Sequence, residues 1–290
     1  MQIRLRALLL VLLLSTHAAL AGESVKVDTS VMTMRIDGEK VLDYRITTPV
    51  EGDLKPLLDK SVRKWTFHPV LVDRTPVPAR TNMRITLAAQ AAEGGYRVVV
   101  DNVTFGVALD EAERRLDGGS AGEDEAFIRV QSNRPMPAYP GNLARAGVEG
   151  AVLVGVKVTA DGKAEEAIAL QSTLFNVRGR DRTLDEARKL FEDATVNAIR
   201  RWTFEVTARK AKPTASDLSG VIRVVFRMPT AVASDAPGQW QVELRSEKRI
   251  APWLVDTAAQ SIGVSDLGDG EMQPVASAFR APEGVIGKAL

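Results

Sequence analysis

The chain has 290 residues, 45% hydrophobic and 26% charged, which excludes collagen-like, mucin-like and wholly disordered classes and leaves length for roughly two domains. Lys+Arg 38 against Asp+Glu 37 gives a formal net charge of +1, and the few aromatics form no basic-aromatic interleave, which argues against nucleic-acid binding. There is no cysteine and there are two histidines, His17 and His68, so thiol catalysis, disulfides, iron–sulfur clusters and cysteine zinc sites are excluded.

Taken in order, the chain opens with a basic stretch (Arg4, Arg6), an apolar run Ala7–Leu14 and an Ala19-Leu20-Ala21 site before Gly22. This is the pattern of a secretory signal peptide, Met1–Ala21, cleaved after Ala21, and it points to the periplasm. A retained inner-membrane anchor is the alternative. Ala7–Ala21 would make about 22 Å of helix, short of a hydrocarbon core of roughly 30 Å. With the leader removed, His68 is the one remaining histidine.

Two stretches then repeat the same local signals. In the first, Val31–Ile36 and Val41–Ile46 flank Asp37-Gly38; in the second, Val152–Val158 and Ala164–Leu170 flank Asp161-Gly162. Alternating apolar runs around Asp-Gly predict antiparallel hairpins. Leu54, Leu57, Leu58, Ser61, Val62 and Trp65 then predict a helix opened by Asp53. The second helix is predicted from a Thr183/Glu186 capping box along Leu184, Ala187, Leu190, Phe191, Ala194, Ala198 and Ile199. Both helices run into nearly the same words, Val62-Arg-Lys-Trp-Thr-Phe67 and Ile199-Arg-Arg-Trp-Thr-Phe204. Each is followed by a strand, Asn82–Leu87 or Val221–Phe226. Arg84 lies 19 residues after Trp65, and Arg223 lies 21 after Trp202.

Tyr96–Phe105 reads as a further strand of the first copy. The expected division is a domain at 22–116, a glycine-rich acidic linker at 117–129, a domain at 130–229 and a poorly structured extension at 230–290, in which Trp240–Leu244 is a candidate short strand. The fold class is α+β: two small β-β-α-β-β domains, each an antiparallel sheet packed by one amphipathic helix.

Pro137-Ala-Tyr-Pro140, Val148-Glu-Gly150, the valine strand, Asp161-Gly162 and Ala198–Phe204 together resemble the C-terminal domain of TonB proteins over about residues 130–228. Residues 25–90 resemble it more faintly, through Asp37-Gly38 and Lys64–Phe67 with Pro69. The matching family positions are Gly150, Asp161, Gly162, Arg201, Trp202 and Phe204, with Trp65 and Phe67 in the first copy. The resemblance implies a periplasmic module related to energy transduction and transport, which captures a partner peptide, such as a segment of an outer-membrane receptor, as an added β-strand. It places that contact near Tyr139 and Pro140 and along the edge Val221, Ile222, Arg223, Val224, Val225 and Arg227. The chain lacks the long proline-rich spacer of a force transducer, so an exported adaptor or scaffold with no role in energy transduction is the alternative.

The residues themselves carry plainer readings too. Trp65, Phe67, Trp202 and Phe204 suit a core corner; Arg63, Lys64, Arg200 and Arg201 suit a solvated helix end. Tyr139-Pro140 suits a rigid lead-in, and the strand at 221–227 suits either an inner position or an edge guarded by arginines. His68 precedes Pro69 with no matched Ser or Asp, and Glu165-Glu166 and Glu123–Glu125 read as solvated charge. No enzymatic activity, catalytic residue, metal site or cofactor is expected.

Overall fold

The computed structural model describes residues 24–290 except 38–39, 47, 51, 73, 78, 106–125, 132–133, 209–212, 216, 230–237, 239, 256–257 and 276–279. The signal-peptide reading and the acidic stretch Asp117–Glu125 lie outside the described residues.

The first copy runs β1 (Ser24–Asp37), β2 (Lys40–Ile46), α1 (Leu54–Val62), β3 (Val70–Val72), β4 (Thr75–Val77), β5 (Ala79–Ala92) and β6 (Gly95–Phe105). After β7 (Ala126–Val130) and the one-turn helix α2 (Gly141–Arg145), the second copy runs β8 (Glu149–Val158), β9 (Ala164–Phe175), α3 (Asp181–Ile199), β10 (Phe204–Ala208) and β11 (Ser219–Phe226). Two further strands follow, β12 (Trp240–Arg245) and β13 (Met272–Pro274). The class is α+β with antiparallel pairing, as the alternating runs predict.

The duplication is visible in the pairing. β1 bonds to β2 and β5, and β8 bonds to β9 and β11, so each copy sets its first strand at the centre and its post-helix strand on the other side. The copies do not form separate sheets. Nine strands of the described residues join in the order β13-β11-β8-β9-β12-β1-β5-β6, with β2 also on β1. The joint is β12: Glu243–Arg245 pair with Thr173–Phe175 of β9, and Trp240–Glu243 pair with Ser24–Val27 of β1. Trp240–Arg245 lies in a segment expected to be poorly structured, yet it joins the two halves of the sheet.

Each helix covers one face of its copy. Leu54, Leu58 and Val62 of α1 pack with Met83, Ile85, Leu87 and Val103. Ala187, Phe191 and Ile199 of α3 pack with Val152, Val154, Ile222 and Val224. The alternate residues point the other way, and the chain after β12 covers them. Ala151, Leu153, Leu170 and Val221 are buried with Leu254, Ile262, Val264 and Leu267. The described residues between 251 and 275 are therefore a third layer, and the expectation of a poorly structured extension does not hold for them. The layer contains two 3₁₀ turns, Pro252–Leu254 and Ala258–Ser261, which carry no 2.0 or 3.6 period.

Two smaller expectations are also corrected. The linker does not reach residue 129, because Ala126–Val130 pairs residue for residue with Phe204–Ala208. The helix α3 begins at Asp181, with Arg180 at the N-cap and no side-chain cap. Thr183 therefore lies inside the first turn, and Glu186 pairs with Arg182 at 3.1 Å instead of closing a capping box.

Candidate functional site

Val221–Arg227 is the first candidate edge, and the fold closes it. Gly220, Val221 and Ile222 pair with Pro274, Gln273 and Met272 of β13. Beyond them, the Arg223 amide donates to the Glu271 carbonyl at 3.2 Å, and the Gly270 amide donates to the Arg223 carbonyl at 2.8 Å. The Val225 amide donates to Asp269 Oδ1 at 2.9 Å. Val221, Ile222 and Val224 are buried core residues. Arg227 is half-buried, bonds Glu149 at 2.8 Å and lies 4.1 Å over the Phe175 ring. The chain's own residues 269–274 occupy the positions assigned to a partner strand.

Tyr139 and Pro140 are likewise used internally. The half-buried Tyr139 hydroxyl donates to the Val148 carbonyl at 2.6 Å, and its ring meets Phe191 and Phe226 edge-on at 5.6 and 5.5 Å. Burial raises its pKa, the Glu149 carboxylate adds to that, and Arg227 opposes it. Pro140 stands at the N-cap of α2 and accepts the Ala144 amide at 2.9 Å. Here the lead-in reading describes the geometry.

The family-motif residues of the second copy sit where backbone closeness demands them. A Cβ on Gly150 would strike the Thr173 carbonyl and lie 3.1 Å from the Phe191 ring. Gly162 turns at φ +81° with its position closed by the Phe204 carbonyl, so the Asp161-Gly162 turn can take only glycine comfortably. Asp161 accepts the Thr159 hydroxyl at 2.5 Å and pairs with Lys163 at 2.9 Å; the Thr159 bond first, then Lys163, lower its pKa. Arg201 is exposed, Phe204 is buried, and Trp202 is 2% exposed with its indole N–H donating to the Pro135 carbonyl at 2.7 Å.

The first copy differs at the matching place. Phe67 is buried and meets Phe105 edge-on at 6.3 Å, but Trp65 is only half-buried. It lines a cavity of about 650 Å³ together with Leu57, Lys60, Lys64, His68 and Lys288. The chain's last residues form the far wall. The Val100 amide donates to the Lys288 carbonyl at 2.9 Å, Gly287 to Val100 at 2.7 Å and Leu290 to Val98 at 3.1 Å, so Lys288–Leu290 lies along the outer edge of β6 through one antiparallel bridge, Val99 with Ala289. Among the described residues, no group of three or more His, Asp or Glu could hold a metal.

Sequence reasoning missed a buried polar cluster between the copies and the third layer. Asp266 is 1% exposed; it accepts Thr86 Oγ1 at 2.6 Å, Asn102 Nδ2 at 2.5 Å and the Gly263 amide at 2.6 Å. The two repeat-equivalent arginines converge beside it. Arg84 donates to the Asp266 carbonyl at 2.9 Å and to Glu271 at 2.7 Å, and Arg223 donates to the Leu267 carbonyl at 3.0 Å. Their similar spacing, 19 residues after Trp65 and 21 after Trp202, is the one available signal. Every charged group here faces a protein partner, which makes the cluster a clamp on the tail. Replacing Asp266 with alanine should destabilise the fold by about 3–5 kcal/mol, because three donors lose a buried acceptor. Urea unfolding of the Asp266→Ala protein checks this, and an unchanged midpoint would remove the clamp assignment.

No protein-family model, curated protein or solved structure matches the chain.

Proposed function

We propose that the protein is an exported, periplasmic protein-binding module of the TonB C-terminal kind, related to transport, which captures an extended partner peptide by strand addition. One observation carries the reading. The sheet already binds its own chain on its outer edges through main-chain bonds, Met272–Pro274 as a strand on β11 and Lys288–Leu290 on β6 through a single bridge, Val99 with Ala289. Main-chain bonds supply affinity in such contacts and side-chain pockets supply choice. The β11 edge is held by 269–275 and by the buried arginine clamp, so exchange there would disrupt the third layer. Among the described residues, the β6 edge is held by Gly287–Leu290, with Ile286, Gly287, Lys288 and Ala289 exposed. A partner strand therefore enters at Val98–Val100 in place of Gly287–Leu290.

Among the described residues, no helix is long and apolar enough to cross a membrane. Transducer and adaptor roles separate on the mature N-terminus: a start at Gly22 supports the adaptor.

The edge reading is tested with a labelled peptide of residues 284–290, GVIGKAL. A chain ending at Pro282 should bind it with saturation, and the intact chain should not. The full chain carrying Gly287→Pro, which loses the bond to Val100, should bind it at an intermediate level. Folded proteins of both kinds that ignore the peptide would overturn strand exchange at β6.

A further inference from the structure

The two copies present the same tryptophan at the same helix end, and only one of them is covered. In each, the helix closes with matching turns: Trp65 and Trp202 amides bond to Val62 and Ile199 carbonyls at 3.1 and 3.0 Å. The second copy shows what fills the place beside the ring. The segment that reaches it carries prolines at 135, 137 and 140, and two of its residues, Arg134 and Pro135, meet the Trp202 side chain. The indole N–H of Trp202 takes the Pro135 carbonyl, and the Arg134 guanidinium lies 5.1 Å over the ring. Proline-rich chain suits such a groove, because its backbone is already extended and loses little freedom on docking.

In the first copy the matching tryptophan, Trp65, lines the cavity instead. Its apolar wall is Leu57, Phe67, Val100 and Val285, and the Trp65 indole N–H has no hydrogen-bond partner among the described residues. The volume, about 650 Å³, is within the roughly 300–1,000 Å³ of ligand pockets. Exposed Lys60, Lys64 and Lys288 ring it with His68, against the Glu283 carboxylate. We infer that this cavity binds an acidic, proline-bearing peptide of a protein partner, set against Trp65 as Arg134 and Pro135 are set against Trp202. The Trp65 N–H donates to a peptide carbonyl, the prolines sit on Leu57 and Phe67, and acidic flanks meet the three lysines. This deepens the protein-binding reading but does not need strand exchange, since the site stands with Gly287–Leu290 in place.

The probe is a synthetic peptide, Ac-DEPMPAYPE-NH2, which carries the chain's own Pro135–Pro140 sequence between acidic flanks. It is titrated into the full chain at low salt while the Trp65 indole N–H resonance, assigned through Trp65→Phe, is followed. A saturable shift of that resonance is expected, with binding weakened about tenfold or more by Lys60→Glu with Lys64→Glu. Both lysines are exposed, so the variant keeps the fold. A peptide with lysines in place of its acidic residues should bind far less, and one with alanines for prolines should lose the shift. No saturable shift at millimolar peptide, or equal shifts from all three peptides, would overturn the inference. Failure of strand exchange alone leaves the shift intact, because the titration uses the full chain with Lys288 and Leu290 still walling the cavity.

Discussion

A chain ending at Arg245 is expected to lose its cooperative unfolding transition and to bind hydrophobic dyes. Truncation there removes Leu254, Ile262, Val264, Leu267, Val275 and Val285, all at most 6% exposed. Burying each such side chain stabilises by about 1.5–3 kcal/mol, so the six together rival the whole net stability of a domain, about 5–15 kcal/mol. The loss does not stop with the removed residues. Leu153, Leu170 and Val221 face the third layer and would be left against water. Arg84 and Arg223 would lose the carbonyls and the carboxylate they hold between residues 266 and 271. A chain ending at Pro282 keeps all of that layer through Val275 and should unfold cooperatively. Circular dichroism with urea titration of the two truncations makes the comparison. A normal midpoint for the Arg245 form would show that the tail is decoration on a self-sufficient sheet.

The same residues explain what could be read in advance and what could not. The hairpins, the two helices and the Trp-Thr-Phe corners were legible because local periodicity fixes them. The valines at 152, 154, 156 and 158 all point into one core, and Gly162 holds the turn beside them. The strand at 219–226 was legible as a strand but not as a position in the sheet. Alternation is the same for an edge and an inner strand, and what decides is a partner arriving about 44 residues later to bond Arg223 and Val225. The third layer left no periodic trace, since its order comes from short 3₁₀ turns and from polar anchors such as Asp266 to Thr86, 180 residues away. The joining of the copies was hidden for a related reason. Trp240–Arg245 alternates like any short strand, and only the sheet shows that both of its edges are taken. For the candidate site, the tryptophan pair was visible as a repeat, but the difference in their cover was not. Pro135, whose carbonyl takes the Trp202 indole N–H, lies 67 residues before it.

That difference makes the second large effect. Trp202→Ala should cost about 3–5 kcal/mol, the range for deleting a buried tryptophan, whereas Trp65→Ala should cost no more than about half as much. Trp202 loses on three counts: ring burial in the core with Phe204 and Ile199, the indole bond to Pro135, and the stacked Arg134. Trp65 has a half-exposed ring, a tilted contact with Phe67 at 6.4 Å and open space on its other side. Because one continuous sheet contains both copies, a single urea transition is the common scale for the two variants. Equal losses would mean that the fold depends on the ring beside the cavity as much as on its counterpart, and the first copy would then have no unused surface to offer. The unequal result has a further consequence in the presence of the acidic proline peptide. The ligand should raise the midpoint of the wild-type chain and leave Trp65→Ala where it was, since binding only stabilises a folded state that can make the contact. Trp202→Ala, destabilised but with its cavity whole, should recover part of its loss.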